Sequence, residues 1–368
     1  MVIRRARYQC SVSGKFYCPV DALLDLPAGT GGVMTVSLSR RALALSTRMD
    51  FHELQRQLLE QHDVSVSDTT LDVLMQRVGG VAEADRQNVL DALLTKSVGV
   101  EREEAVAVKL PAPRRMYVSC DGIFYPTRYK EPDPDDSEQN RIKYQEMKVG
   151  TVFWQDQKNR WHKRVVSSRD DSERFGLNLW HLAVECGMLN CPEVIFISDG
   201  GGWCNTVAQT YFKEALRILD WYHLSEHVWE TGRKLYPGDE TATGRWVAVA
   251  MDYLHDHSGR GLLMYLERSL AARGETISAD KRETLQALIN YLSPRLTITE
   301  YVAYREKGYV IGSGMMESTC KQVVSRRLKG PGMQWSERGA LAIAALIGQR
   351  INGSWPEFWQ SRPLQRAA

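Results

Sequence analysis

The stretch Val194–Cys204, VIFISDGGGWC, decides how this chain is read. Five residues suited to a buried strand run into Asp199, and Gly200, Gly201, Gly202 and Trp203 follow. Taken alone, Asp-Gly is an ordinary way to leave a strand. A second stretch, RRMYVSCDG (Arg114–Gly122), repeats the pattern, with a short β-rich run reaching Asp121 before a glycine. Adjacent strands lie about 5 Å apart. Side by side, the two strands bring their carboxylates close enough to share metal ions. The three glycines then leave room for a sugar-phosphate backbone to approach.

Working outward, FYPTRY (Phe124–Tyr129) reads as a hairpin return, followed by the acidic loop KEPDPDDSEQN and a longer alternating strand, EMKVGTVFWQD. FGLNLWHLAVECG has helical spacing in Phe175, Leu179, Leu182 and Cys186. After the strand bearing Asp199, VAQTYFKEAL reads as a helix and RILDWYHL as a strand entering another helix. This order predicts an α/β fold: an RNase H-like mixed sheet flanked by helices, its first strand central and the Asp199 strand beside it. From Gly238 to Pro294 the pattern is wholly helical. IGSG then interrupts the chain before the helix MMESTCKQVVSRRLKG, which buries Met316, Cys320, Val323 and Val324 and ends at Gly330-Pro331-Gly332.

Upstream, residues 50 to 96 read as three short helices. The first places Phe51, Leu54, Leu58 and Leu59 on one face. The second takes Ser67 as N-cap, faces Leu71, Leu74 and Val78 inward, and stops at Gly79-Gly80. Two helices joined by a turn near Val64–Val66 match helix-turn-helix geometry, which would offer Thr69, Thr70, Gln76 and Arg77 to DNA; a plain helical packing unit fits the same pattern. The resulting organisation is an irregular basic arm (1–45), a helix-turn-helix-like helical region (46–98), a linker (99–113), the first part of the core (114–237), an all-α insertion (238–296), the last core helices (297–350) and a C-terminal tail (351–368).

The 368 residues, 43% hydrophobic and 25% charged, are those of an ordinary globular protein. MVIRRARYQC has positive charge but no apolar run behind it, so no secretory signal is expected. Seven scattered cysteines predict reduced thiols in a cytoplasm. Cys10 and Cys18 flank CSVSGKFYC, but Ser13 stands where a zinc ribbon would place its second thiolate. Net charge is +2, unevenly distributed. Met1–Arg48 holds seven Lys/Arg against Asp21 and Asp25, and Lys321–Arg350 holds six against Glu337. Two basic ends suit a polyanion, and solvated helix faces look similar.

A third oxygen ligand for the two aspartates is expected from a helix laid across the sheet, and Glu317 is the candidate. An exposed i, i+4 pair with Lys321 explains Glu317 equally well on the residues alone. His223 and His227 share a helix face in DWYHLSEH; they suit packing or support of the site, and an HxxxH can bind zinc. In SRRLKGPGMQW, Arg326, Arg327 and Lys329 with Trp335 suit a DNA backbone and an unstacked base, or else helix-end charge compensation around a buried Trp. Gly-Gly-Gly as a nucleotide loop finds no support: neither Gly-x-x-x-x-Gly-Lys-Ser/Thr nor a spaced G-x-G-x-x-G is present.

SCDG, SDGGG, ILDWYHLSEH and above all GSGMMESTCKQVVSRRLKGPGMQWSERGA resemble bacterial insertion-sequence transposases of the Kra type, within the DDE superfamily. The resemblance runs from about Arg4 to Trp359 and is strongest from Gly312 to Ala340. It implies a catalytic and metal-binding triad of Asp121, Asp199 and Glu317, holding two Mg2+ or Mn2+ ions about 3.5–4 Å apart. It further implies cleavage of transposon ends, transfer of the freed 3′-OH into target DNA, and a phosphate-contacting role for one of the two histidines. DNA contacts would fall to Lys321, Arg326, Arg327, Lys329, Trp335, Thr69, Thr70 and Arg77. The partners implied are double-stranded DNA and a second copy of the chain, in a bacterial cytoplasm. Ser13 departs from the fuller cysteine ribbon of many family members. The alternative is a transposase-derived DNA-binding protein that no longer cuts.

Overall fold

A computed structural model describes residues 8–13, 16–17, 34–132, 140–273, 278–361 and 363–366. The acidic stretch Asp133–Glu138, Cys18, Gly29, Gly31, Gly32 and the basic residues Arg4, Arg5, Arg7 and Lys15 lie outside the described residues. The architecture is mixed α/β, a central five-stranded sheet flanked by helices. Its strands are β1 (Arg115–Pro132), β2 (Asn140–Gln155), β3 (Trp161–Ser168), β4 (Glu193–Ser198) and β5 (Leu216–Leu219). They lie in the order β3-β2-β1-β4-β5. β1, β2 and β3 form an antiparallel meander, while β4 and β5 run parallel to β1. In general terms this is the order of an RNase H-like sheet.

The crossovers are helical. α4 (Ser172–Glu185) leads from β3 towards β4, and α5 (Gly202–Tyr211) joins β4 to β5. Met116, Val118 and Cys120 of β1 bury against these two helices, together with Phe175, Leu179 and Val207. Successive strand residues point to opposite faces, so Tyr117 faces the other way. It packs with Ile197, Ile218 and the helices α6 (Trp221–Leu235), α7 (Glu240–Arg273) and α8 (Ala279–Leu292). The described residues of the predicted all-helical stretch are helical over Glu240–Arg273 and Ala279–Leu292, though α7 is kinked at His257 and Ser258.

Further along the same face of β1, Ile123 and Tyr125 join a third cluster. It holds α1 (Val36–Ser46), α2 (Phe51–His62), α3 (Asp68–Leu94), α9 (Gly314–Cys320), a π-helical turn (Lys321–Ser325), a short helix (Arg326–Leu328) and α10 (Glu337–Ile351). The N-terminal helices and the last core helices thus share one core.

Four local expectations are corrected. FYPTRY is not a hairpin return: β1 runs through it, with a register shift between Pro126 and Lys130, and pairs with β2 as far as Pro132–Asn140. β3 was not foreseen, because WHKRVVSS alternates poorly. Gly79-Gly80 does not stop a helix; α3 runs 27 residues through it. A Cβ on Gly79 would stand 2.4 Å from the carbonyl oxygen of Ala342, so this glycine lets α10 cross α3 at close range. Residues before 46 are not all irregular, since α1 begins at Val36, capped by Thr35, whose hydroxyl accepts from Leu38 N–H. The foreseen N-cap Ser67 does accept from Thr70 N–H. The C-terminal residues also fold back as two short helices, Trp355–Gln360 and Pro363–Arg366, burying Phe358, Trp359 and Leu364.

The outer edge of β3 is closed by a side chain. Asn352 accepts from Val165 N–H at 2.7 Å and donates to Val165 O at 2.9 Å, completing the ladder where another strand could otherwise add. Among the described residues no helix is long and apolar enough to cross a membrane.

Candidate active site

Register builds the site. Ser119 of β1 stands opposite Ile197 of β4, and Ile197 opposite Ile218 of β5. Advancing each strand by two residues brings Asp121, Asp199 and Asp220 level with one another. A two-residue step keeps the same face, and on this face Tyr117, Ile197 and Ile218 pack under the helical insertion. Three aspartates thus form a row where the parallel strands end. Contrary to the expectation of a strand ending at Asp121, β1 runs on through it. β4 ends beside it, and β1 continues alone with β2.

Each of the first two carboxylates is oriented by its own turn. Asp121 Oδ1 accepts from Gly122 N–H at 2.7 Å, and Asp199 Oδ1 accepts from Gly201 N–H at 2.8 Å. Their second oxygens carry no hydrogen bond among the described residues. Burial pushes the Asp121 carboxyl above its usual range. Gly122 N–H opposes this, Asp199 adds to it, His223 opposes it, and Asp220 adds to it. Carboxylate oxygens are the donors that Mg2+ and Mn2+ take, so the free oxygens of this pair fit such an ion.

Asp220 was missed as a member of this row, although ILDWYHL shows the same signal of an acid at the end of an apolar strand. It is 5% exposed, and its Oδ1 accepts from Tyr222 N–H at 3.1 Å and from Ser313 N–H at 2.9 Å. It caps α6 and at the same time ties down the entry to α9.

Glu317 sits in the first turn of α9, which packs on β1 and β2. Its side chain is 54% exposed and lies 3.7 Å from Lys321 Nζ, the i, i+4 pair considered from the sequence. A pair so exposed holds the side chain only weakly. Burial, then Asp121, then Glu317 push the Cys320 thiol up to about 12, which puts both acids in electrostatic reach of one sulfur. Among the described residues no group of three or more His, Cys, Asp or Glu side chains is gathered closely enough to hold a metal ion. The structure lines up Asp121, Asp199 and Asp220 by register without closing them into a metal site, and leaves Glu317 turned to solvent on the neighbouring helix.

His223 and His227 point at each other, Nε2 to Nε2 at 3.2 Å. His223 is the one that acts on Asp121. His227 packs its ring 4.1 Å from that of Tyr291, and burial, helped by His223, holds its pKa below the usual imidazole value. It also faces a groove of about 630 Å3 between α6 and α8.

The proposed DNA contacts separate into two groups. Lys321, Arg326 and Lys329 are exposed, as is Thr69, while Thr70 and Arg77 are half-buried along α3. Arg327 and Trp335 are buried, at 1% and 6% exposure, and in this arrangement they are turned away from solvent. Arg327 Nε donates to Ser46 O at 2.7 Å, and its guanidinium lies 4.7 Å from the Phe51 ring and 4.8 Å from that of Trp335. Burial brings its pKa down to about 10. Trp335 O accepts from Arg128 N–H at 2.9 Å, pinning this segment to β1. Both residues join the N-terminal helices to the core. The sequence showed their charge and aromaticity but not the three-layer packing that encloses them.

The model of an uncharacterised protein family, UPF0236, matches residues 75–358. No curated protein matches the chain. Among solved structures, the Drosophila P element transposase strand transfer complex is similar over 89% of this chain and 81% of that one, at 11% identity and a TM-score of 0.30, a likeness too loose to argue from.

Proposed function

The chain belongs to the uncharacterised protein family UPF0236, and from that premise we propose that it is a DNA transposase that cuts and joins phosphodiesters with a divalent ion. One observation carries the proposal: the register of two adjacent parallel strands sets Asp121 and Asp199, the latter one residue past the end of β4, level on one face, each with an oxygen unengaged. Glu317 is the proposed third acid. It reaches the pair by leaving Lys321, an exchange that costs little at so exposed a position. Asp121, Asp199 and Glu317 would hold a divalent ion, which would supply charge stabilisation at the scissile phosphate and a more acidic water. Asp121 and Asp199 hold their oxygens in place through Gly122 and Gly201. His223, within electrostatic reach of Asp121, would contact a phosphate oxygen, and Lys321, Arg326 and Lys329 would offer charge to the DNA backbone. Transposition joins two DNA ends, so a pair of chains on DNA is the proposed working unit.

The test is cleavage of the element's end DNA by the purified chain in Mg2+ or Mn2+. The parent should nick at the end and expose a 3′-OH, and Asp121→Ala, Asp199→Ala and Glu317→Ala should each reduce cutting at least a hundredfold. A second reading, a DNA-binding protein that no longer cuts, is favoured by the outward Glu317–Lys321 pair. Specific binding without cleavage in either metal would establish it.

A further inference from the structure

We propose that Tyr291 and Arg295, contributed by the helical insertion, are positioning residues that hold the Asp199–Gly200 turn and thereby aim the Asp199 carboxylate. The proposal rests on the transposase reading for its purpose, though not for its geometry. Tyr291 lies in the last turn of α8, and Arg295 on the 3-10 segment Ser293–Ile298 that follows. Tyr291 donates its hydroxyl to Asp199 O at 3.2 Å. Arg295 donates through Nη1 to Tyr291 O at 2.7 Å and through Nη2 to Gly200 O at 3.4 Å, and its guanidinium lies over the Tyr291 ring at 4.2 Å. From α5, Asn205 Nδ2 donates to the same Gly200 O at 2.8 Å. Two consecutive carbonyls of one turn are thus held by three side chains from three helical elements.

The turn needs such support. Gly200 has φ +76°, a left-handed conformation that glycine adopts without strain. Any Cβ there would come within 3.1 Å of both Arg295 Nε and Leu219 Cδ1, so the arginine fills the space that glycine leaves. The turn also sets the carboxylate, because Asp199 Oδ1 takes its hydrogen bond from Gly201, one peptide further on. A shift at Gly200 therefore rotates the acid relative to Asp121. His227 packs against the Tyr291 ring at 4.1 Å, the two rings tilted, and restrains it. An insertion that merely filled space beside the sheet would bury apolar groups here and leave the turn's carbonyls to water.

Two conservative variants test this. Tyr291→Phe keeps the ring and its contacts with His227 and Arg295, and removes only the hydroxyl. Arg295→Lys keeps the charge and loses the fork that spans Tyr291 O and Gly200 O. Amide hydrogen exchange of the whole chain is read at peptides covering 199–203, with thermal midpoints alongside. Each variant should speed exchange in that turn about fivefold, as expected for one hydrogen bond lost, with other regions and the midpoint nearly unchanged. In end-DNA cleavage, kcat should fall about tenfold at constant KM for DNA, and half-saturation should need more Mg2+. Unchanged exchange at the turn in both variants overturns the proposal, whether or not DNA is cut; so does an increase spread evenly over the chain. A parent that never cuts sinks the transposase reading instead, and the exchange result still decides the clamp.

Discussion

Asp220 accepts the backbone N–H of Ser313 at 2.9 Å, fastening the end of β5 to the start of the helix that carries Glu317. The contact does not act alone. Trp221 N–H donates to Ile311 O at 3.0 Å, and Gly312 lies so close to Tyr222 that a Cβ would meet its ring at 2.5 Å. The strand end, the α6 cap and the α9 entry form one joint.

Replacing Asp220 by Ala should leave the Ser313 and Tyr222 amides unsatisfied in a buried place. A loss of about 2–4 kcal/mol is expected, measured as a lower urea midpoint. Asp220→Asn keeps an accepting oxygen and should cost less than half as much. Equal midpoints for the Ala variant and the parent would show that the joint contributes no stability.

Asp121 should trade stability for placement. Its folded pKa lies above the unfolded value, mainly through burial and then through Asp199. Such a group contributes stability that is complete below the unfolded carboxyl range, about 4, and lost as pH rises through the folded value. In chelator, Asp121→Asn should therefore melt above the parent at pH 7, by about 2 °C, and the gap should close as pH falls towards 4. Thermal melts across that range check the sign, and a variant that melts below the parent at pH 7 contradicts it.

Gly79 and Gly80 are neighbours in one helix with opposite expectations. Gly79→Ala forces a methyl to 2.4 Å from Ala342 O and should destabilise by about 1–3 kcal/mol. At Gly80 an added Cβ meets nothing within 4 Å, so Gly80→Ala should stabilise by about 0.5–1 kcal/mol through helix propensity alone. Denaturant midpoints of the two variants should move in opposite directions.

The basic segment after α9 should split in the same manner. Arg326→Ala and Lys329→Ala, both at exposed positions, should weaken DNA binding and each reduce the salt slope by about one. Arg327→Lys should lower the melting temperature, because a lysine cannot lie flat between Phe51 and Trp335 while donating to Ser46 O. Its salt slope should match that of the parent. Anisotropy titrations over a range of KCl concentrations separate the two effects.

Much that is local was legible in the residues. VIFIS is a strand, Asp199 and the glycines leave it, Ser67 caps a helix, and the stretch after Gly238 is helical. Periodicity and capping act over a few residues, which is why one segment at a time suffices to read them. By itself the sequence determined these elements, their order, and two acids before glycines in the apolar runs that became neighbouring strands. Only the tertiary structure decided that Asp220 completes the row, that Gly79 is a crossing point, that Arg327 and Trp335 turn inward, and that the insertion grips Asp199 through Tyr291 and Arg295. Each of these depends on which distant segment arrives opposite: α10 at Gly79, α1 and α2 at Arg327, α8 at Asp199. Strand register and helix crossing are settled when whole faces bury together, and no local window contains both partners.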